Sequence, residues 1–269
     1  MNVLITGCGS GIGRALVRAF EEQGHCVWAT SLRLHQLAEV AVEDGWRDVR
    51  LRALDVTNFE DWDRVVQEME GAHERPDVLC NVAGWLLPGD VVDTTPEVID
   101  RHVDVNVKGV MFGTRRVGRV MVAAGSGHIV NIASLAGLAP VPGLSLYCAT
   151  KFAVRGFSLS VGQELRRHGV YVTAVCPDAV QTPMLDLQVD HPEAALVFSG
   201  GRSLSVSEVC DAVLGPVLRD RPLELSLPRW RGALARVGGA LPALSALSEP
   251  LLRRVGAANL RKAKARRDG

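Results

Sequence analysis

Val3-Leu4-Ile5-Thr6-Gly7-Cys8-Gly9-Ser10-Gly11-Ile12-Gly13 opens the chain with an apolar run and a glycine-rich turn. Arg14 to Glu22 follows, with Leu16, Val17 and Phe20 at helical spacing, so the order reads strand, tight turn, helix. Glycines let the backbone come close to a ligand, and the free N–H groups at the start of the helix attract a phosphate. A glycine-rich turn is a weak signal alone. Between a strand and a helix it predicts the first unit of a parallel, dinucleotide-binding sheet.

Working outward, Cys26 to Thr30 is a second strand that ends at Ser31. A sheet of this kind that prefers NAD places a carboxylate there, against the adenosine ribose. Ser31 has no charge, and Arg33 offers a cation to the extra phosphate of NADP. The sequence therefore predicts NADP, with NAD as the alternative. Val49 to Leu54 is a third strand, Asp55-Val56-Thr57 its cap region, and Asn58 to Glu70 the next helix. Asp77 to Cys80 makes a fourth strand, ending in Asn81-Val82-Ala83-Gly84. Alternating strands and helices predict an α/β fold, a doubly wound parallel sheet covered on both faces, with ligands at the strands' carboxyl ends. Asp55 and Asn81 fall at such ends. Val98 to Ala124 reads as one long helix whose apolar face includes Asn106, a residue that must be bonded if buried.

The chain has 269 residues, 47% hydrophobic and 22% charged, which suits a single globular domain. Its net charge of zero hides an asymmetry. From Pro228 onward ten Lys/Arg stand against Glu249 and Asp268, a balance of plus eight that leaves minus eight on residues 1–227. No apolar run is long enough to span a membrane, and no leader-like segment precedes Val3. The six cysteines lack metal-ligand spacing and read as reduced thiols of a cytoplasmic protein, with no metal site.

Tyr147 and Lys151 lie four residues apart in a helical segment that starts near Ser145, so both leave one face. A neighbouring ammonium favours the phenolate and lowers a phenol's pKa. Ser134 follows the strand His128 to Ile132, within reach of that helix. An isolated Tyr–Lys pair is more often a surface pair with a snorkelling lysine.

The company this pair keeps changes that. Thr6 to Gly13, Asp55, Asn81 to Gly84, Asn106, Ser134, Tyr147 with Lys151, and Pro177 through Thr182 follow one another as they do in the short-chain dehydrogenase/reductase family, which residues 1 to 225 resemble. The resemblance implies a Rossmann-like sheet and an oxidoreductase. It makes Tyr147 the general acid or base, Lys151 the residue that lowers its pKa and bonds the nicotinamide ribose, Ser134 the holder of the substrate oxygen, and Asn106 the anchor of a water next to Lys151. It implies cofactor contacts at Gly7, Ser10, Gly11, Ile12, Gly13, Ser31, Arg33, Asp55, Val56, Asn81, Ala83, Gly84, Tyr147, Lys151, Pro177, Val180 and Thr182. It also implies a homodimer or homotetramer built through Val98 to Ala124 and Leu146 to His168. A non-catalytic NAD(P)-sensing or scaffold protein of the same fold is the rival reading.

Three residues depart from the pattern. Val82 replaces a common second asparagine, Leu32 stands where many NADP-dependent members carry arginine, and Asp178 follows Pro177 where glycine is usual. The Asp178 side chain is expected to turn to solvent or cap the next turn.

Trp85 to Pro88, Leu135 to Leu146 and Met184 to Gly201 supply apolar walls and a lid, which predicts an apolar alcohol, ketone or aldehyde of steroid, retinoid-like or fatty-chain type. Gly200-Gly201 reads as a hinge or a turn.

Residues 228–269 form an extension outside the resembling domain 1–227. Trp230, Leu234, Val237, Leu241, Leu244, Leu251 and Val255 keep mostly helical spacing, and Gly238-Gly239, Pro242 and Pro250 are expected to break the segment into short amphipathic pieces. The basic end Arg261 to Arg267 either makes a peripheral membrane contact or is the solvated end of an element packed on the domain. It has no interleaved aromatics, so nucleic acid is not an expected partner.

Overall fold

The computed structural model describes residues 1–268, apart from the side chains of Leu244, Ser245, Arg266 and Asp268. The readings of Leu244 and Arg266 therefore lie outside the described residues.

The first half alternates as the apolar runs predict: β1 (Asn2–Ile5), α1 (Gly11–Glu22), β2 (Cys26–Ser31), α2 (Leu34–Asp44), β3 (Val49–Ala53), α3 (Phe59–Gly71) and β4 (Val78–Asn81). Then come α4 (Pro96–Val103), α5 (Gly109–Ala124), β5 (Gly127–Ile132), α6 (Ser145–Arg166) and β6 (Val170–Pro177). The short helices α7 (Pro183–Asp186), α8 (Val206–Ala212) and α9 (Leu218–Asp220) lead to β7 (Glu224–Leu227). Two helices, α10 (Arg229–Ala240) and α11 (Pro242–Asp268), close the chain.

The seven strands pair in parallel in the order β3-β2-β1-β4-β5-β6-β7. The chain winds outward from β1 to β3, then returns to lay β4 against the other side of β1. Loops that leave β1 and β4 diverge at this point, which opens a crevice at the carboxyl ends of the strands. Successive side chains of β1 anchor both faces. Val3 and Ile5 pack with Leu16, Val17 and Phe20 of α1, and Leu4 packs on the opposite side with Trp62 and Met69 of α3. Each such side chain contributes about 1.5–3 kcal/mol when fully buried. Burial of Leu16, Val17 and Phe20 thereby fixes the direction in which α1 points its amino end.

The expected single helix over Val98 to Ala124 is interrupted. Between α4 and α5 the residues Asp104–Lys108 take π register, with the Gly109 N–H bonded to the Asp104 carbonyl. Buried Asn106 sits in this wider turn and is fully engaged. Its Oδ1 accepts from the Trp85 N–H at 2.7 Å, and its Nδ2 donates to the Trp85 carbonyl at 2.8 Å and to Thr150 Oγ1 at 3.1 Å. These bonds remove the cost of burying the amide.

The extension corrects the sequence reading. Gly238 and Gly239 stay inside α10, and Pro250 stays inside α11; the break comes at Leu241, with Pro242 starting the second helix. Tertiary contact outweighs propensity here. A Cβ on Gly239 would overlap the Leu138 carbonyl, so glycine is what lets α10 lie against that segment. In α11, Gly256 abuts the Ala195 carbonyl, Asn259 Nδ2 donates to the Phe198 carbonyl at 3.0 Å, and Leu260 is buried. Lys264 and Arg267 both pair with Asp190, at 3.0 and 2.7 Å. The positive extension thus packs over the negative body. Among the described residues no helix is long and apolar enough to cross a membrane.

Candidate active site

A cavity of about 1330 Å³ runs along the crevice from the turn after β1 to the helices of the extension. Its first half is shaped by glycines. Gly7 has φ +73° and a Cβ there would come 2.8 Å from the Ala83 Cα, while a Cβ on Gly13 would overlap the Gly7 carbonyl. The turn therefore closes tightly enough to aim the amino end of α1 into the cavity, where Ser10, Gly11, Ile12 and Gly13 line it. Thr6, which sequence reasoning did not single out as a site residue, holds the facing wall: its Oγ1 accepts from the N–H groups of Val82 and Ala83, at 3.0 and 3.1 Å.

Of the expected cofactor residues, Gly7, Ser10, Gly11, Ile12, Gly13, Ser31, Asp55, Val56, Ala83, Gly84, Tyr147, Lys151, Pro177, Val180 and Thr182 line this cavity. Arg33 and Asn81 do not. Arg33 is exposed at the start of α2, and that end of the cavity is lined instead by Ser31, Leu32 and Gln36. Asn81 is buried behind the wall, with its Nδ2 donating to Asn131 Oδ1 at 2.8 Å, while Asn131 donates to Ser158 Oγ at 2.9 Å. The glycine cradle, the helix amino end and a long cavity beyond them fit a dinucleotide.

At the far end of that cradle, α6 presents Tyr147 and Lys151 on one face, and the turn after β5 presents Ser134. Lys151 Nζ donates to the Ile132 carbonyl at 2.8 Å and lies 5.4 Å from the centre of the Tyr147 ring. Burial governs both groups. It pushes the lysine down to about 8 and pushes the phenol up, while a hydrogen bond from Ser134 pulls the phenol back. The spacing alone predicts a phenol lowered by its lysine; in the folded chain desolvation is the larger influence and has the opposite sign. Asn106 lies behind this face, and its clamp on Trp85 fixes the wall next to Lys151.

The second half of the cavity is apolar. Leu86, Leu135, Leu144, Met184, Leu196 and Val197 line it, as the sequence predicts for a wall and lid. Gln188 adds one polar point: it is buried, its Nε2 donates to the Met184 carbonyl at 3.0 Å, and its Oε1 has no protein partner. Trp230, Leu234 and Val237 of α10 and Leu252 of α11 complete the wall. Periodicity marks Trp230, Leu234 and Val237 as helical in the sequence, whereas Leu252 was not singled out there, and only the fold brings them over the site. Asp178 also faces this cavity, and its carboxylate lies 2.7 Å from Arg231 Nε on α10. The expectation that it turns to solvent is thus corrected.

A family model described as short chain dehydrogenase matches residues 1–193, nearly three quarters of the chain. The chain belongs to the short-chain dehydrogenase family. An uncharacterized oxidoreductase of Staphylococcus aureus is 30% identical over 211 residues, covering 78% of this chain and 88% of that protein. The probable oxidoreductase EphD of Mycobacterium tuberculosis is 31% identical over 246 residues, covering 84% of this chain but 41% of EphD. The chain therefore spans less than half the length of that relative. Among solved structures, a closed serine dehydrogenase complexed with NADP+ superposes with a TM-score of 0.76 at 31% identity, over 84% of this chain and 94% of that one. The seven-stranded parallel sheet is of Rossmann-like fold, as in that structure.

Proposed function

We propose that the protein transfers a hydride between NADP(H) and an apolar alcohol, ketone or aldehyde of steroid, retinoid-like or fatty-chain type. The observation that carries this reading is the convergence of Ser134, Tyr147 and Lys151 where a glycine-cradled channel meets an apolar cavity. When bound, the dinucleotide supplies or accepts the hydride, and its oxidised ring favours the phenolate. In the reductive direction the carbonyl oxygen gains negative charge. The Ser134 hydroxyl stabilises it by donating a hydrogen bond, and Tyr147 protonates it. Lys151, buried and bonded to the Ile132 carbonyl, presents its ammonium to the phenol and the ribose. Both amide hydrogens of Asn106 are committed, so its part is to fix the Trp85 wall next to Lys151. A water there would bond its main chain or its remaining acceptor capacity.

The NADP preference is supported by Ser31, Leu32 and Gln36, which bring no carboxylate to the ribose end; a higher kcat/KM with NADH would refute it. Exposed Ile99 and Val103 on α4 and Phe152 on α6 support assembly through Val98 to Ala124 and Leu146 to His168 into a homodimer or homotetramer, a point for light scattering. An exposed stripe on α11, Leu247, Leu251 and Val255, favours peripheral membrane contact as a second reading, whereas pairing of Lys264 and Arg267 with Asp190 opposes it. Vesicle sedimentation of full-length protein against Leu251→Ser tests it.

Turnover of apolar carbonyls with NADPH by wild type, lost by roughly 10³-fold or more in Tyr147→Phe while NADPH still binds, is the expected result. Binding without turnover across a broad carbonyl panel would instead favour a sensor or scaffold.

A further inference from the structure

Asp178 is a costly residue where it stands. It follows β6 directly, its N–H donates to the Leu227 carbonyl at 2.8 Å, and its side chain is only 14% exposed on the wall of the cavity. Burial pushes its pKa up, and Arg231 pulls it back. A bare carboxylate here would be a fixed charge with little water to screen it.

Its partner comes from the segment beyond the family match. Arg231 lies in the first turn of α10, and its guanidinium sits between Asp178 and Gly200, just after the Pro192–Ser199 segment. Gly200 lies directly against it, a Cβ there coming 2.4 Å from Arg231 Nη1. The glycine read as a hinge or turn is therefore a close-approach position. One cation thus joins three parts of the cavity: the end of β6, the 192–201 lid and the extension. From the same helix, Trp230 and Leu234 stand over the apolar half.

We propose that Asp178 and Arg231 act as a latch that closes the extension over the substrate half of the cavity, making α10 and α11 part of the substrate site and selecting a molecule with an apolar body long enough to reach Trp230 and Leu234. The inference rests on this cavity half being the substrate site. Asp178 and Arg231 are positioning residues. Neutralising Arg231 leaves a buried bare acid, whereas neutralising Asp178 leaves a cation that is 26% exposed and better hydrated. The two losses are therefore unequal and coupled, and removing both charges repairs part of the damage.

The test uses full-length wild type, Arg231→Gln, Asp178→Asn and the double variant. Each is titrated with Nile red as a neutral apolar probe and separately with NADPH, and the rate of tryptic cleavage within the extension is measured. For Arg231→Gln the expected result is Nile red affinity weakened about tenfold and cleavage about tenfold faster, with NADPH affinity moved less than about threefold. Asp178→Asn is expected to be milder, and the double variant to bind Nile red better than Arg231→Gln alone. Additive effects, an unchanged Nile red affinity in Arg231→Gln, or an equal loss of NADPH and Nile red binding would overturn the latch. None of these readouts needs turnover, so a failure of the reductase reading is seen separately, as an inactive wild type whose latch still couples the two charges.

Discussion

The turn at Gly7 to Gly13 and the helices at Arg229 to Asp268 shape opposite halves of one cavity by different means. Close approach in the turn is local: Gly13 meets the carbonyl of Gly7, six positions away, and both belong to one strand-turn-helix unit. Close approach in the extension is long-range: Gly239 meets Leu138, and Gly256 meets Ala195. The first half depends on backbone conformation that its own sequence prescribes. The second depends on the rest of the chain having already folded. A cavity assembled in this way keeps the glycine-cradled half fixed and leaves the apolar half open to change by residues outside the family match.

Substitutions at these glycines separate the halves. Gly13→Ala forces the turn away from the Gly7 carbonyl and should weaken NADPH binding by about 100-fold, read by fluorescence titration; near-wild-type affinity would remove the tight turn from the account. A smaller effect is expected from Gly256→Val, which lifts α11 off Ala195. Nile red should bind about tenfold more weakly and NADPH within about threefold of wild type, and parallel losses in both would merge the halves into one cooperative unit.

An effect on stability and its pH dependence, not on affinity, belongs to Lys151, where the halves meet. Its folded value of about 8 lies below the ordinary 10.5, so across that window the unfolded chain holds more protons and wild-type stability rises with pH. Below about pH 8 the burial cost is present in full. Lys151→Met should therefore stabilise the cofactor-free protein at pH 7 by about 2 kcal/mol, and the gain should vanish as the pH approaches 10.5. Denaturant unfolding at both pH values checks the sign; a gain that grows with pH would show that burial does not dominate at this lysine.

The convergence of the candidate residues was legible because they lie close in sequence or at strand ends. Tyr147 and Lys151 share a helical face by spacing, and Ser134 follows its strand. The placement of Arg33 off the cavity and of Asn81 behind its wall was not legible. The first depends on where α2 starts, with Arg33 exposed at its amino end, and the second on Asn131 and Ser158, contributed by a neighbouring strand and by α6. Asp178 stood out in the sequence as an acid in place of glycine, but the sequence sent it to solvent or to a cap, and only the fold shows Arg231 beside it.

By itself the sequence determined the alternation of strands and helices, the glycine cradle and the shared face of Tyr147 and Lys151, since each follows from backbone preference and hydrophobic period within a few turns of chain. Only the tertiary structure decided that the extension is a wall of the cavity, that Pro250 and Gly239 lie within helices, and that Arg231 answers Asp178. The reason is physical. Burial and close approach depend on which distant segments meet, and at Tyr147, Lys151 and Asp178 those long-range terms outweigh the local ones.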